Sequence, residues 1–256
     1  MTENLQIREY LEEKVVQYNQ PSFIPLDPIQ VPHRFIDKED IEIAAFLTAT
    51  IAWGQRKTII NNAGRLIGMM PGGPYNFLME YKEDELTPFL SFVHRTFNGF
   101  DCHYFLRALR SIYLDHGGLE KVFMEGYKQY GDMFGGLVRF RSVFFSNGDP
   151  GRTSRHISDV TSNSAAKRLN MFLRWMVRED AQGVDFGLWK QIPMSALYIP
   201  LDIHSGNSAR KLKLLRRRQD DWKAVTELTG VLREFDPEDP VKYDYALFGL
   251  GVFEKF

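Results

Sequence analysis

Lys167 and Asp202 are the two residues whose chemistry and surroundings best fit a catalytic pair. Lys167 lies in residues 165–176, where apolar side chains recur with helical spacing. It falls in the first turn, where the helix dipole disfavours a cation and so favours the neutral amine that an imine-forming nucleophile requires. The alternative is a surface lysine whose methylene stem covers apolar neighbours.

Asp202 lies in the run Ile199-Pro200-Leu201-Asp202-Ile203-His204, between two predicted helices. An acid directly before a helix is typical of an N-cap. As a catalytic group it would stabilise a developing oxocarbenium ion or take a proton from an attacking nucleophile. His204 either orients this carboxylate or simply packs.

The charge is unevenly distributed along the chain, although the formal net charge of the 256 residues is only -1. Basic residues outnumber acids over residues 139–178, and residues 210–218 contain six basic residues and no acid. Such asymmetry fits either a solvated face or a groove that binds phosphates.

Composition excludes several classes of protein. The single cysteine excludes an internal disulfide and a four-cysteine iron–sulfur cluster within this chain. There is no apolar run of about eighteen residues and no signal-peptide core, so we expect a cytoplasmic protein with no membrane partner. We also expect a monomer without metal or cofactor.

His94, Asp101 and His103 form a second polar cluster. Imidazole and carboxylate groups suit several divalent ions, so a metal site is one interpretation. An ordered loop is the other, with a turn at Asn98-Gly99 and Asp101 capping the next helix.

The dominant periodicity is helical, which predicts an all-α fold. The helix from residue 41 to residue 53 is apolar nearly all round and is therefore predicted to be central. Residues 146–162 are predicted to be a mobile basic loop, residues 183–201 an irregular connector and residues 205–215 a helix. We predict one unit spanning residues 1–256, a two-lobed helical bundle with the active groove between the lobes.

Three segments resemble parts of the helix-hairpin-helix DNA glycosylases. Residues 199–215 resemble their Pro-x-Asp-x-[His/Arg] turn and following helix, in which the Asp is the invariant catalytic acid. Residues 46–66 resemble a helix–loop–helix of the endonuclease III group, whose loop reaches into the duplex. The spacing of Lys167 and Asp202 is similar to that of the archaeal 8-oxoguanine glycosylase branch. The whole chain resembles an uncharacterised bacterial family within this superfamily, although Gly183-Val-Asp-Phe-Gly-Leu-Trp-Lys190 stands where most relatives have a glycine-rich hairpin.

The resemblance implies a DNA base-excision glycosylase, with or without lyase activity, acting on double-stranded DNA that contains a damaged base. It implies that Lys167 attacks the sugar while Asp202 stabilises the positive charge. Further residues are expected to contact DNA: Trp53, Gln55, Arg56, Arg152, Arg155, His204, Arg210 and Lys211. Phe97, Trp175 and Trp189 either stack on the flipped base or belong to the core. The alternatives are a non-catalytic nucleic-acid binder on the same fold and a helical protein-interaction module. The lesion stays open.

Overall fold

The computed structural model describes residues 3–256 and is all-α, with one short β-hairpin. The α-helices in chain order are α1 (Glu3–Tyr18), α2 (Lys38–Thr50), α3 (Arg56–Gly68), α4 (Pro74–Glu80), α5 (Gly99–His116), α6 (Leu119–Tyr130), α7 (Met133–Phe144), α8 (Lys167–Val177), α9 (Ile203–Lys211), α10 (Trp222–Phe235) and α11 (Tyr243–Val252). The hairpin strands are β1 (Val93–His94) and β2 (Phe97–Asn98). The 3-10 helices are Pro21–Leu26, Pro28–Gln30, Pro32–Arg34, Glu83–Ser91, Gly151–His156, Met194–Ala196 and Pro240–Lys242. No helix in the described part of the chain is long and apolar enough to cross a membrane.

The chain divides into two compact units. Unit 1 joins residues 3–24 to Asp159–Phe256 and contains α1 and α8 to α11. Unit 2 is Pro25–Ser158 and contains α2 to α7 and the hairpin. Lys167 and Asp202 therefore belong to the same unit, although 35 positions separate them in sequence.

The helix that the sequence predicts to be central is indeed buried. All residues of α2 from Ile41 to Thr50 are buried, as an apolar pattern on every face requires. Around it, the ring of Phe46 contacts the rings of Phe105, Phe140 and Phe144, which come from α5 and α7. These aromatic contacts form the core of unit 2.

The β-hairpin is a feature that the helical periodicity does not predict. Its two-residue turn is Arg95-Thr96, and Arg95 has a positive φ of 55°. Asn98, expected in a turn, ends β2 and is the N-cap of α5. Asp101 is not the N-cap but the N3 partner in a capping box, where it accepts a hydrogen bond from the Asn98 backbone N–H at 2.9 Å.

Unit 1 is built around α11. Both α1 and α9 pack on this helix, and Phe23 adds an edge-to-face contact with Tyr245 at 5.4 Å. The connector that follows α8 runs back along the end of α8. The backbone N–H groups of Phe186 and Trp189 donate to the α8 carbonyls of Trp175 and Met176 at 2.8 and 2.9 Å. These contacts fix where α8 ends and where the chain returns towards Asp202.

Candidate functional site

Lys167 and Asp202 lie in direct contact. The Nζ of Lys167 is 3.0 Å from the Oδ2 of Asp202, with the lysine side chain 36% exposed and the aspartate side chain 12% exposed. Lys167 is the first residue of α8 and Asp202 is the N-cap of α9. The fold thus brings the two predicted catalytic residues together, with the amine accessible to solvent and the carboxylate largely shielded.

The two carboxylate oxygens of Asp202 have different partners. Oδ1 accepts hydrogen bonds from the backbone N–H groups of His204 and Ser205 at 2.8 and 2.9 Å, while Oδ2 faces Lys167. The Ser205 hydroxyl lies 3.0 Å from the Asp202 backbone N–H, which completes a capping box. Capping therefore uses one oxygen and leaves the other for the lysine.

The electrostatics of Asp202 favour the carboxylate. Burial raises its pKa, but the charge of Lys167 and the Ser205 backbone N–H lower it more, so the pKa lies below the ordinary value. Asp202 is consequently ionised at neutral pH. An imine-forming nucleophile attacks as the neutral amine.

His204 holds the carboxylate through its backbone. Its imidazole packs edge-on against Phe248 of α11, with ring centroids 6.4 Å apart. Its carbonyl lies against Gly251, where an added Cβ would come within 2.9 Å of that oxygen. The backbone position of His204, fixed by packing on α11, thus orients Asp202.

A buried ion-pair network lies along α8. Arg174 pairs with Asp185 at 3.2 Å and with Asp244, and Arg178 pairs with Asp185 at 3.1 Å. Arg178 also pairs with Asp239 at 2.9 Å and with Asp180 at 2.7 Å. Both arginine side chains are at most 5% exposed, so these charges rely on one another for solvation.

This network is the part of the site that the sequence analysis missed. The sequence feature that could have revealed it is the presence of Arg174 and Arg178 in a mainly apolar segment. They follow Lys167 by seven and eleven positions, and this spacing places all three on the same side of a helix. Asp185 comes from residues 183–190, the segment that stands in place of a glycine-rich hairpin. In this protein the segment supplies a buried carboxylate to two arginines.

We expect Asp185→Ala to be strongly destabilising. It removes the carboxylate that both Arg174 and Arg178 contact, and breaking a buried ion pair by removing one partner costs about 3–5 kcal/mol. Urea unfolding followed by circular dichroism measures the change. Glu179→Ala is the control, since Glu179 pairs with Lys190 on the surface and its loss should cost less than about 1 kcal/mol. Equal losses in the two variants would contradict a structural role for the network.

The basic stretch at residues 210–218 is less helical than predicted, and two of its arginines have partners within the protein. Helix α9 begins at Ile203 and ends at Lys211, whereas a helix was expected over residues 205–215. Arg210 donates to the Arg217 carbonyl at 2.8 Å and to Asp220 at 2.5 Å, and Arg217 pairs with Asp221. Lys211 is exposed and lies 5.3 Å from the ring of Phe256. Arg210 thus holds the following turn together, while Lys211 remains accessible.

Trp53, Gln55 and Arg56 lie together where α3 begins. Gln55 occupies the N-cap position of α3 and Arg56 is its first residue. The Trp53 ring packs edge-on against His94 at 5.1 Å and stacks on His156 at 5.9 Å. The buried His94 ring lies 3.1 Å from the Trp53 carbonyl, and burial lowers its pKa. A neutral histidine therefore supports the segment that carries these three residues.

The predicted mobile loop is anchored by Asp101. Arg152 and Thr153 donate to the Asp101 carboxylate at 2.9 and 2.8 Å, and His156 lies 3.2 Å from it. Arg152 also donates to the Thr96 carbonyl at 2.7 Å, and Arg155 is exposed. The anchoring carboxylate is completely buried, which makes Arg152 a structural residue as well as a candidate DNA contact.

Two interpretations of the aromatic and polar residues can now be separated. Phe97, Trp175 and Trp189 have no exposed surface, so they belong to the core and are not available to stack on a base. His103 lies 2.6 Å from the Leu86 carbonyl, while Asp101 and His94 have the partners given above. Within residues 3–256 no three His, Cys, Asp or Glu side chains are grouped so as to hold a metal ion.

Comparison with known proteins assigns the chain to a family. Residues 27–253 match the model of a family described as a protein of unknown function (DUF2400). The chain therefore belongs to this family. The matched residues include both Lys167 and Asp202. No curated protein and no solved structure matches the chain.

Proposed function

We propose that this protein is a DNA glycosylase with lyase activity that acts on damaged bases in duplex DNA. The observation that carries the proposal is the contact between Lys167 Nζ and Asp202 Oδ2 at 3.0 Å, at the first turn of one helix and the N-cap of another. A partly exposed amine can reach a sugar, and the carboxylate beside it can stabilise positive charge there, so the pair suits imine chemistry. The resemblance to helix-hairpin-helix glycosylases implies the same roles for these two residues.

In the proposed mechanism Lys167 acts as the nucleophile. Once its ammonium has released a proton to solvent, the amine attacks the anomeric carbon C1′. The bond between C1′ and the base breaks, and its electron pair leaves with the base, which takes a proton from solvent. Asp202 stabilises the positive charge that develops on the sugar. The attached nitrogen then loses a proton to solvent, and the C1′–O4′ bond opens, with its electron pair and a proton from solvent going to O4′, which gives the imine with Lys167. Loss of a C2′ proton to solvent and departure of the 3′-phosphate from C3′ then cleave the strand by β-elimination.

We propose that the surface residues hold the duplex and the flipped-out nucleotide. Arg155 and Lys211 are exposed cations suited to phosphates. Trp53, Gln55 and Arg56 are proposed to fill the space that the nucleotide leaves, since extruding a nucleotide costs a few kcal/mol and least for a damaged base. The support provided by His94 and His156 keeps the Trp53 ring in one orientation.

Incubation with duplex oligonucleotides that carry an abasic site or 8-oxoguanine tests the proposal. Gel analysis should show strand cleavage at the lesion and none on undamaged duplex. Salt-dependent binding without cleavage on either substrate would favour the non-catalytic nucleic-acid binder. Absence of both binding and cleavage would favour a protein-interaction module.

We expect Arg155→Gln to weaken binding to any duplex by a similar factor and to lower the slope of log affinity against log salt by about one. The reason is that one phosphate contact releases about one counterion. Fluorescence anisotropy over a salt series measures both quantities. Arg107→Gln is the control, because Arg107 is exposed but pairs with Glu83 at 2.5 Å. An unchanged salt slope in Arg155→Gln would remove this residue from the interface.

A further inference from the structure

Helix α8 begins at a strained residue directly before Lys167. The N-cap position belongs to Ala166, which is 1% exposed and adopts a left-handed conformation with φ 48° and ψ 34°. Alanine has no side-chain oxygen that could cap the helix, and its Cβ makes a left-handed conformation costly. Lys167 is the next residue, so the backbone direction at Ala166 sets where the lysine side chain starts.

Asn170 holds this turn from within the helix. Its backbone N–H donates to the Ala166 carbonyl at 2.9 Å, and its side-chain Nδ2 donates to the Ala165 carbonyl at 3.2 Å. These two carbonyls belong to the peptide groups on either side of Ala166. Asn170 therefore fixes both ends of the left-handed residue, including the peptide group that joins it to Lys167.

Asn170 is a poor choice of residue for the stability of α8 alone. It is the fourth residue of the helix and is 1% exposed, although asparagine is a weak helix former. Its Oδ1 is buried and has no hydrogen-bond partner among residues 3–256. Turning the amide over would make this oxygen face the Ala165 carbonyl, which is also an acceptor. The bond from Nδ2 to Ala165 is therefore the contact that accounts for an amide at this position.

The other contacts of the turn lie before Ala166. The Ser164 Oγ accepts a long hydrogen bond of 3.4 Å from the Ala166 N–H, and Asn163 donates to Asp221 at 2.9 Å. These contacts hold the chain that leads into the turn but do not tie it to α8. Asn170 makes that connection.

We propose that Asn170 is a positioning residue, which holds the Ala166 turn so that the Lys167 amine stays beside Asp202. The inference rests on the proposed role of Lys167 as the nucleophile. A lysine side chain is long and flexible, so its amine has a defined position only when the backbone that carries it is fixed. A displacement of about 1 Å can slow a reaction by about 100-fold. Asn170 thus favours accurate placement of the amine over the stability of α8.

Carbodiimide cross-linking measures this placement without any DNA substrate. The reagent joins an amine and a carboxylate that are in contact, so it should link Lys167 to Asp202, whose atoms are 3.0 Å apart. The Lys190–Glu179 pair of the same unit is the internal reference, and mass spectrometry quantifies both cross-linked peptides. We expect the ratio of the Lys167 cross-link to the reference to fall at least about threefold in Asn170→Leu, because the amine then meets the carboxylate less often.

Urea unfolding and a matched control separate positioning from a structural role. Asn170→Leu removes the unpaired oxygen and introduces a better helix former, so its urea midpoint should equal or exceed that of the wild type. Ser208→Ala is the control, since the Ser208 Oγ on α9 is also buried without a hydrogen-bond partner in the described part of the chain. Its cross-link ratio should stay at the wild-type level.

Three outcomes would overturn the proposal: an unchanged ratio in folded Asn170→Leu, an equal fall in Ser208→Ala, or a wild type that gives the reference cross-link but none at Lys167. If Asn170→Leu does not fold, Asn170→Ser decides. A serine hydroxyl in a helix reaches the carbonyl four positions back, that of Ala166, and so does not replace the bond to Ala165. An unchanged ratio in this variant would refute the role of the side chain.

Single-turnover cleavage separates this inference from the proposed function. At an abasic site, the cleavage rate of Asn170→Leu should fall at least about tenfold while its duplex affinity stays at the wild-type level. If the glycosylase proposal fails, the wild type does not cleave, yet the cross-link ratio still falls in the variant. If only the inference fails, the wild type cleaves and Asn170→Leu cleaves at the same rate, whatever its cross-link ratio.

Discussion

Lys167→Gln is expected to abolish strand cleavage at damaged sites, with a loss of at least about 1000-fold, because glutamine cannot form an imine. The duplex affinity should change by less than about threefold, since the proposed phosphate contacts come from other residues. Folding should be almost unaffected, as the lysine side chain is 36% exposed and its ion pair contributes little to stability. Single-turnover cleavage assays and fluorescence anisotropy measure the two quantities on the same oligonucleotide.

Lys190→Gln is the matched control for this loss. Lys190 is an exposed lysine of the same unit and forms an ion pair with Glu179. Its replacement should leave both cleavage and binding at the wild-type level. Cleavage retained in Lys167→Gln, or lost equally in Lys190→Gln, would contradict the assignment of the nucleophile.

Asp202→Asn is expected to slow base excision by at least about 100-fold while preserving the fold. The amide cannot stabilise positive charge on the sugar as the carboxylate does. Asparagine is as good an N-cap as aspartate, so the start of α9 should persist. Single-turnover excision rates and the urea midpoint distinguish the two effects.

The protein contains a closely matched control for this substitution. Asp221 is the N-cap of α10 with the same backbone angles as Asp202, φ -128° and ψ -177°, and its side chain accepts from the Ala224 backbone N–H. Asp221→Asn makes the same chemical change at another helix start, where the carboxylate pairs with Arg217 instead of a lysine. A comparable loss of excision in both variants would indicate that Asp202 acts only as a cap.

Local sequence patterns predicted which helices carry the site and which residues are buried. They predicted less well where those helices begin and end. The apolar repeat around Lys167 predicted α8, but not the residue at which it begins. The N-cap position is Ala166, in a left-handed conformation with φ 48°. The pattern Leu212-Lys-Leu-Leu favours a longer α9, but Lys213 adopts a φ of 59° and the Leu214 backbone N–H turns back to the Ala209 carbonyl at 2.9 Å. Left-handed residues of this kind are imposed by tertiary packing, which sequence periodicity does not reveal.

The Lys167–Asp202 pairing could be expected from residue type and resemblance, whereas the network around it could not. Arg174 was visible as a charged residue in an apolar helix. Its partners Asp185 and Asp244 lie 11 and 70 positions further along the chain, and no spacing rule connects them. The same holds for Asp101, which looked like a helix cap but also anchors Arg152, 51 positions away. Long-range ion pairs depend on how the helices pack.

Borohydride trapping followed by peptide mass mapping tests the central claim most directly. The wild-type protein is incubated with a duplex containing an abasic site, reduced, digested and analysed for the modified peptide. We predict one covalent complex whose deoxyribose adduct lies on Lys167, and none in Lys167→Gln. An adduct on another lysine, or the absence of any complex despite tight duplex binding, would contradict the account.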